Sequence, residues 1–231
     1  MRRLSSSWNA TLSKLGYRRT KKSPRRSGIK RRQPFMEGLE ERHMLSITVN
    51  TLTDEIGTYF EGGNSNSLRE ALAYAATQNG PDVIEFDAKL SGGTIQLTHG
   101  QLIIDSYVTI AGLGADALTI RADSNSRAVL VNGNVNATIN GLSITGGTSN
   151  YGGGVFTFGN LVMNSVRVEG NSATSDGGGI YVEGSLELNS STVLGNDAAF
   201  SGGGICLNST GLAIINNSAI DGNSALYGGG I

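Results

Sequence analysis

Beyond residue 43 six side chains could act as bases or hold an anion: Arg69, Lys89, His99, Arg121, Arg127 and Arg167. With the 16 Asp+Glu of the same stretch they are the raw material of polysaccharide cleavage. That chemistry needs several carboxylates placed for calcium or proton transfer and, in lyases, a basic proton acceptor. The spacing does not assemble such a set. Arg121 with Asp123 and Arg167 with Glu169 are i,i+2 pairs, which on a strand share an outward face and ordinarily serve solubility. Arg69 sits in the one convincing helical segment. Asp82, Glu85 and Asp87 crowd into a single short strand-like run at the start of the apolar region. The lone cysteine, Cys206, excludes an intramolecular disulfide and reads as a small strand filler. Gly112 to Ala117, GLGADA, mimics the opening of a dinucleotide fingerprint, but a strand-like LTIRA follows where a helix is required. No cofactor or metal is implied.

Those side chains must be positioned by elements with an unusual punctuation. Triple glycines occur in YGGGVFT, DGGGIYV, SGGGICL and YGGGI, with first glycines at Gly152, Gly177, Gly202 and Gly228. The intervals of 25, 25 and 26 residues are the mark of a solenoid, whose repeats bury their apolar faces only against one another. Aligned on that period, Leu161, Leu186 and Leu212 form one row, Met163, Leu188 and Ile214 a second, and Val168, Val193 and Ile220 a third. Asn171, Asn196 and Asn223 follow, each after a glycine, as expected of a corner where amides hydrogen-bond up the stack and the glycine adopts positive φ. Asp176 is matched by Ser201 and Tyr227 in later repeats, so no acidic column forms. Phe156, Tyr181 and Cys206 take the outward position after each glycine triplet, beside inward Val155, Ile180 and Ile205. An outward aromatic pair has the chemistry of a carbohydrate platform, although stacking between coils accounts for it without a ligand.

From Val83 onward, short apolar runs alternate with Gly, Asn, Asp and Ser. About 25 residues at ~3.3 Å each close a perimeter of at most ~80 Å, enough for three short strands per coil. The expected fold is all-β: a single-stranded, right-handed parallel β-helix over 83–231, about six coils stacked ~4.8 Å apart. A calcium-binding β-roll needs a nine-residue period, and a leucine-rich repeat needs a different Leu and Asn spacing than Leu186, Leu188, Val193 and Asn196 offer. Residues 47–82 read as an N-terminal cap with a helix at 67–78, opened by Ser67 and Glu70 at capping-box spacing. Leu68, Ala71, Leu72 and Ala75 form its apolar face, and Asn79, Gly80 and Pro81 stop it.

Charge divides the chain sharply. Residues 1–43 hold 13 Lys+Arg against 3 Asp+Glu, a net of +10, whereas 44–231 hold 5 against 16, a net of −11. A basic tail, 1–46, therefore precedes an acidic folded body. It has no apolar run of conventional signal-peptide length, and no stretch of the chain approaches the ~20 apolar residues of a membrane span. It reads as an export or processing segment; nucleic-acid binding is not expected, although clustered arginines are the feature that would supply it.

The residues resemble known families. NSLREALAYA, followed by DVIEFD and GGTIQLTHGQLIIDSYVTIAGLGADALTI, is similar to the cap and first coils of CSLREA-type parallel β-helix proteins of bacteria. The later glycine triplets with Val168 to Asn171, Val193 to Asn196 and Ile220 to Asn223 resemble the GGAI and FxxN repeats of polymorphic outer membrane proteins, with aliphatics for the usual phenylalanine. Leu39, Glu40, Arg42 and Leu45 resemble the LEPR-x-LL element of exported planctomycete proteins, with Glu41 for the proline and Met44 for a leucine. These resemblances imply a pectate-lyase-like architecture and a secreted or cell-surface setting. The expected role is a non-catalytic structural or adhesive segment, with a polysaccharide lyase or hydrolase as the alternative. Extracellular carbohydrate or surface proteins are the expected partners, and the uncovered edge of the last coil leaves two alternatives, further coils in a longer chain or pairing with another chain.

Overall fold

A computed structural model describes residues 46–59 and 65–231. Residues 1–45 of the basic tail, with the LEPR-x-LL-like element Leu39, Glu40, Arg42 and Leu45, lie outside them, and Ser46, read as the end of that tail, opens the first strand. The body is a parallel β-helix, as the period requires. Seven strands form sheet A: Ser46–Val49, Asp82–Phe86, Val108–Ala111, Asn136–Asn140, Asn160–Asn164, Ser185–Asn189 and Leu212–Asn216. Sheet B holds Gly93–Gln96, Leu118–Arg121, Ser143–Thr145, Arg167–Glu169, Thr192–Leu194 and Ala219–Asp221. Sheet C holds Leu102–Ile104, Val129–Val131, Val155–Thr157, Ile180–Val182 and Ile205–Leu207. The chain visits A, B and C in turn, and each strand pairs in parallel with its counterpart one coil away.

Three strands per coil suffice only at first. From Thr148 a fourth short strand enters between B and C, and Thr148–Tyr151, Ser172–Asp176 and Asp197–Ala198 form a separate sheet D. This addition coincides with the asparagine and glycine corners. The segment between them is held extended by its own parallel ladder, Thr148 opposite Ser172 and Ser172 opposite Asp197.

The interior is a stack of aliphatic rows. Val155, Ile180 and Ile205 superpose in sheet C, and Val168, Val193 and Ile220 in sheet B. In sheet A, Leu161 lies on Leu186 and Met163 on Leu188, all four buried. The last coil departs from the expected alignment. Ala213, not Leu212, continues the Leu161 row, and Ile215, not Ile214, continues that of Met163. Leu212 pairs with Ser185 and is 59% exposed, and Ile214 is 50% exposed. The turn Asn208–Gly211, closed by Gly211 N–H donating to Asn208 O at 2.8 Å, absorbs one residue more than the alignment allowed. Because side chains alternate faces along a strand, that single residue exchanges inside for outside.

The cap helix α1 spans Leu68–Ala75, shorter than the expected 67–78. Its last bonds tighten into a turn, Thr77 N–H donating to Tyr74 O and Gln78 N–H to Ala75 O. Leu68, Ala71, Leu72 and Ala75 are buried against the core. Ser67 accepts from the Glu70 backbone N–H at 3.2 Å, while Glu70 Oε2 accepts from the Ser67 backbone N–H at 2.9 Å. The reciprocal bonds satisfy donors that a helix start leaves free.

Candidate functional site

Asn171 backbone N–H and Nδ2 both donate to Asn196 Oδ1, at 3.0 and 2.9 Å, and Asn196 does the same to Asn223 Oδ1 at 2.9 and 3.0 Å. Each amide also reaches down a coil, Asn196 Nδ2 to Val168 O at 3.0 Å and Asn223 Nδ2 to Val193 O at 2.9 Å. Asn171 and Asn196 are each 1% exposed, so these bonds replace water entirely. Gly170, Gly195 and Gly222, just before them, have φ near +60°.

The glycine triplet at 177–179 shows why no side chain is tolerated there. Gly177 has φ +68°, as Gly152, Gly202 and Gly228 are also left-handed. A Cβ on Gly178 would collide with the Asp197 carbonyl oxygen and lie 2.5 Å from that of Gly203. On Gly179 it would lie 2.6 Å from the Gly204 carbonyl oxygen and 3.0 Å from the Asn196 amide. The first glycine supplies a backbone turn, the second lets neighbouring corners close, and the third makes room for the asparagine.

A second amide ladder, at positions the repeat alignment does not single out, runs up sheet A. Asn164 Nδ2 donates to Asn140 Oδ1, Asn189 Nδ2 to Asn164 Oδ1, and Asn216 Nδ2 to Asn189 Oδ1, at 2.8, 2.9 and 2.9 Å. It ends the last four sheet A strands, and Ser165, Ser190 and Asn217 immediately after it carry φ of 53°, 49° and 50°. The signal was present as pairs of asparagines at a fixed offset: 164 and 171, 189 and 196, 216 and 223.

The exterior of sheet C concentrates the chemistry. Phe156 points outward between inward Val155 and Thr157, and Ile103, Leu130, Phe156, Tyr181 and Cys206 form one outer row. Tyr151, at the corner before the glycines, and Phe158, just beyond the strand, extend it sideways. Ring centroids lie 4.2 Å apart for Phe156 and Phe158, 5.0 Å for Phe156 and Tyr181, and 5.0 Å for Tyr151 and Tyr181. Phe156 is covered, whereas Tyr151 is 37% and Phe158 43% exposed.

Arg127 borders this cluster, its guanidinium carbon 4.8 Å from the Phe156 ring centroid. It donates to Gly152 O at 2.9 Å, Tyr151 O at 2.6 Å, Ser149 Oγ at 3.0 Å and Gln101 Oε1 at 3.2 Å. Burial pushes its pKa down to about 10, which leaves it charged at neutral pH. On the other flank, Asp176 accepts from Ser201 N–H at 3.0 Å and Ser175 Oγ at 2.6 Å. Burial raises the Tyr181 phenol, and the neighbouring acidic groups Cys206, Glu183, Asp176 and Tyr151 raise it further. Burial, with the Asp176 charge, also raises the Cys206 thiol, which keeps it protonated and unreactive.

The groups that would serve a lyase lie elsewhere and apart. Arg167 bonds Asp116 at 2.7 Å, with Glu169 at 4.0 Å. Arg121 stands opposite Thr145, in a different row from Arg167, which stands opposite Ser143. Arg69 is committed to Asp54 at 2.7 Å and to the carbonyls of Gly100 and Gln101. Burial alone would raise the Asp54 carboxyl, but hydrogen bonds from Arg69, Thr98 N–H and His99 N–H, with the Arg69 charge, hold it below its usual value. A cleft of about 380 Å³ beside α1, floored by Leu72, Ala76, Leu102 and Ile103, has this engaged Arg69 and Asp105 at its rim. Asp82, buried in the inward row opposite Val108, has an Oδ2 with no hydrogen-bond partner, and burial raises its pKa. Among the described residues no group of three or more His, Cys, Asp or Glu side chains could hold a metal ion. Nor, among them, is any helix long and apolar enough to cross a membrane.

These features define a parallel β-helix whose corners are locked by amide ladders and whose outer face carries an aromatic cluster. No protein-family model, curated protein or solved structure matches the chain.

Proposed function

We propose that the chain is a non-catalytic structural or adhesive β-helix segment of an exported cell-surface protein, and that its mechanism is presentation. The stack of coils is a stiff support, and its outer faces meet extracellular carbohydrate or surface proteins. The observation that carries this reading is the pair of amide ladders, Asn171 to Asn223 and Asn140 to Asn216, which fix the corners coil after coil. A repeat held this way displays side chains at a constant spacing. The charge contrast of +10 for residues 1–43 against −11 beyond supports an export-type tail on a separate body. The resemblance of 35–46 to the LEPR-x-LL element, and of the cap and coils to CSLREA-type and polymorphic outer membrane proteins, points the same way.

Antibody labelling of intact source cells tests the reading: the chain is expected at the surface, and confinement to the cytoplasm would overturn it. Release of unsaturated sugars from acidic polysaccharides, abolished by Arg121→Ala or Arg167→Ala, would instead make it a lyase. Salt-sensitive DNA binding that disappears on deleting residues 1–43 would make the tail a nucleic-acid binder.

A further inference from the structure

We propose that the outer face of sheet C binds an uncharged polysaccharide, with sugar rings stacking on Tyr151, Tyr181 and Phe158 and hydroxyls bonding Glu183, Asp176 and Arg127. The proposal rests on the surface reading above, which gives such a polymer access.

Stacking between coils accounts for Phe156 and Tyr181 but not for their neighbours. If aromatic rings served only to cement successive coils, they would recur in register, as the asparagines do. They do not. Above and below Phe156 and Tyr181 the row holds Leu130 and Cys206, and the position of Tyr151 is taken by Asp176 and Ser201 before a tyrosine returns at Tyr227, three coils on and out of stacking reach. Tyr151 and Phe158 are therefore additions to the one coil that carries Phe156, and both leave more than a third of their surface in water. Each is braced by another ring, so the face is organised before any ligand arrives and loses little conformational freedom on binding.

The polar groups around the rings suit hydroxyls. Glu183 follows Tyr181 by two residues, stands one coil above Phe158, and its carboxylate has no hydrogen-bond or ion-pair partner among the described residues. Asp176 keeps acceptor capacity beyond its two bonds, and Arg127 keeps one Nη1 hydrogen after its bond to Gln101. Acceptors on one flank and a donor on the other match the mixed donor and acceptor character of a sugar hydroxyl. The two carboxylates also decide the ligand's charge, because an acidic sugar laid on Tyr181 would meet both of them. A protein partner needs about 800 Å² of complementary surface on each side, more than three exposed rings edged by carboxylates supply.

The test is affinity electrophoresis of the full chain through gels containing hydroxyethylcellulose, galactomannan or β-1,3-glucan, with polygalacturonate as the acidic control. At least one uncharged polymer is expected to retard the chain. Tyr151→Ala with Phe158→Ala is expected to weaken that retardation by about tenfold or more, with the thermal melt unchanged within a few degrees. Should the double variant fold poorly, Phe158→Ala alone and Glu183→Gln each serve, with losses of about threefold or more, and Phe158→Trp should retain binding. The proposal is overturned if none of the three uncharged polymers retards the chain, or if the variants bind as well as the parent. It is also overturned if polygalacturonate alone is bound, a result that would point to the basic tail. Any of these results leaves the surface reading intact when intact cells are labelled, whereas a cytoplasmic chain that still binds glycan sinks that reading alone.

Discussion

The two ends of the solenoid hold their corners by different physics. Near the cap, Asp54, whose side chain is 1% exposed, anchors Arg69 and the Thr98 and His99 amides in one charged cluster that occurs once. From Asn136 upward the corners are neutral amides repeated at every coil. The charged cluster joins segments with no periodic relation, residues 54, 69 and 98–101. The ladder works only between equivalent positions. A charge can satisfy several unrelated donors from one point, whereas an amide both donates and accepts and so can pass the same bond on indefinitely. The cap therefore fixes where the stack starts, and the ladders fix how it continues.

That contrast can be broken at its most loaded points. Arg69→Met should have the largest effect, a loss of about 3 to 5 kcal/mol, because it leaves the buried Asp54 carboxylate without its cation. Urea unfolding at neutral pH measures it. Since Asp54 is held below its unfolded value, its contribution in the parent is present above about pH 4 and is lost as pH falls through the lowered folded value. The variant's melt should accordingly vary less with acid. Gly178→Ala, which forces a methyl into the Asp197 carbonyl, should cost roughly 3 kcal/mol and loosen the stack above it. Hydrogen exchange at the Gly179 and Ile180 amides, which donate to Gly203 O and Gly204 O of the next coil, reads that loosening.

Neutral ladders should fail more gently, and in proportion to burial. Asn196→Ala strands the Asn171 N–H and the Val168 carbonyl and should cost about 2 to 3 kcal/mol, against about 1 kcal/mol for Asn189→Ala in the less buried ladder. Equal losses in thermal unfolding would refute the distinction. The smallest effect has the opposite sign. Asp82 carries a raised pKa, so the parent loses stability as pH rises from about 4 through that raised value. Asp82→Asn should flatten that loss and leave stability at pH 7 equal or higher by up to about 1 kcal/mol.

The fold was legible because a solenoid writes its structure into sequence translation. The triplet glycines fixed the period, and Asn171, Asn196 and Asn223 could be placed at one corner without any coordinates. Translation also explains what escaped. Chemical likeness at a 26-residue step puts Leu212 and Ile214 inward, whereas the turn at 208–211 makes the step 27, from Leu186 to Ala213. The second ladder escaped because Asn140, Asn164, Asn189 and Asn216 sit at strand ends with no glycine triplet to flag them. Of the outer face, the row Phe156, Tyr181, Cys206 followed from alternation. Phe158 belongs to no repeat, the position of Tyr151 regains a tyrosine only at Tyr227, and Arg127 reaches the cluster from the coil before, so only three-dimensional proximity unites them.

The equivalence of successive coils also makes length a modular property. Leu161 and Leu186 occupy the same interior place, so removing residues 161–185 joins Asn160 to Leu186 and recreates the junction it replaces. Asn140 would then meet Asn189, and the stack would be one layer, about 4.8 Å, shorter. Duplicating the same segment would lengthen it by as much. Such a molecule can grow or shrink through unequal recombination in whole layers while its cross-section stays the same; loss of 161–185 takes Asp176, Tyr181 and Glu183 with it, whereas duplication keeps them beside Tyr151 and Phe158, so reach can increase without changing what the outer face recognises.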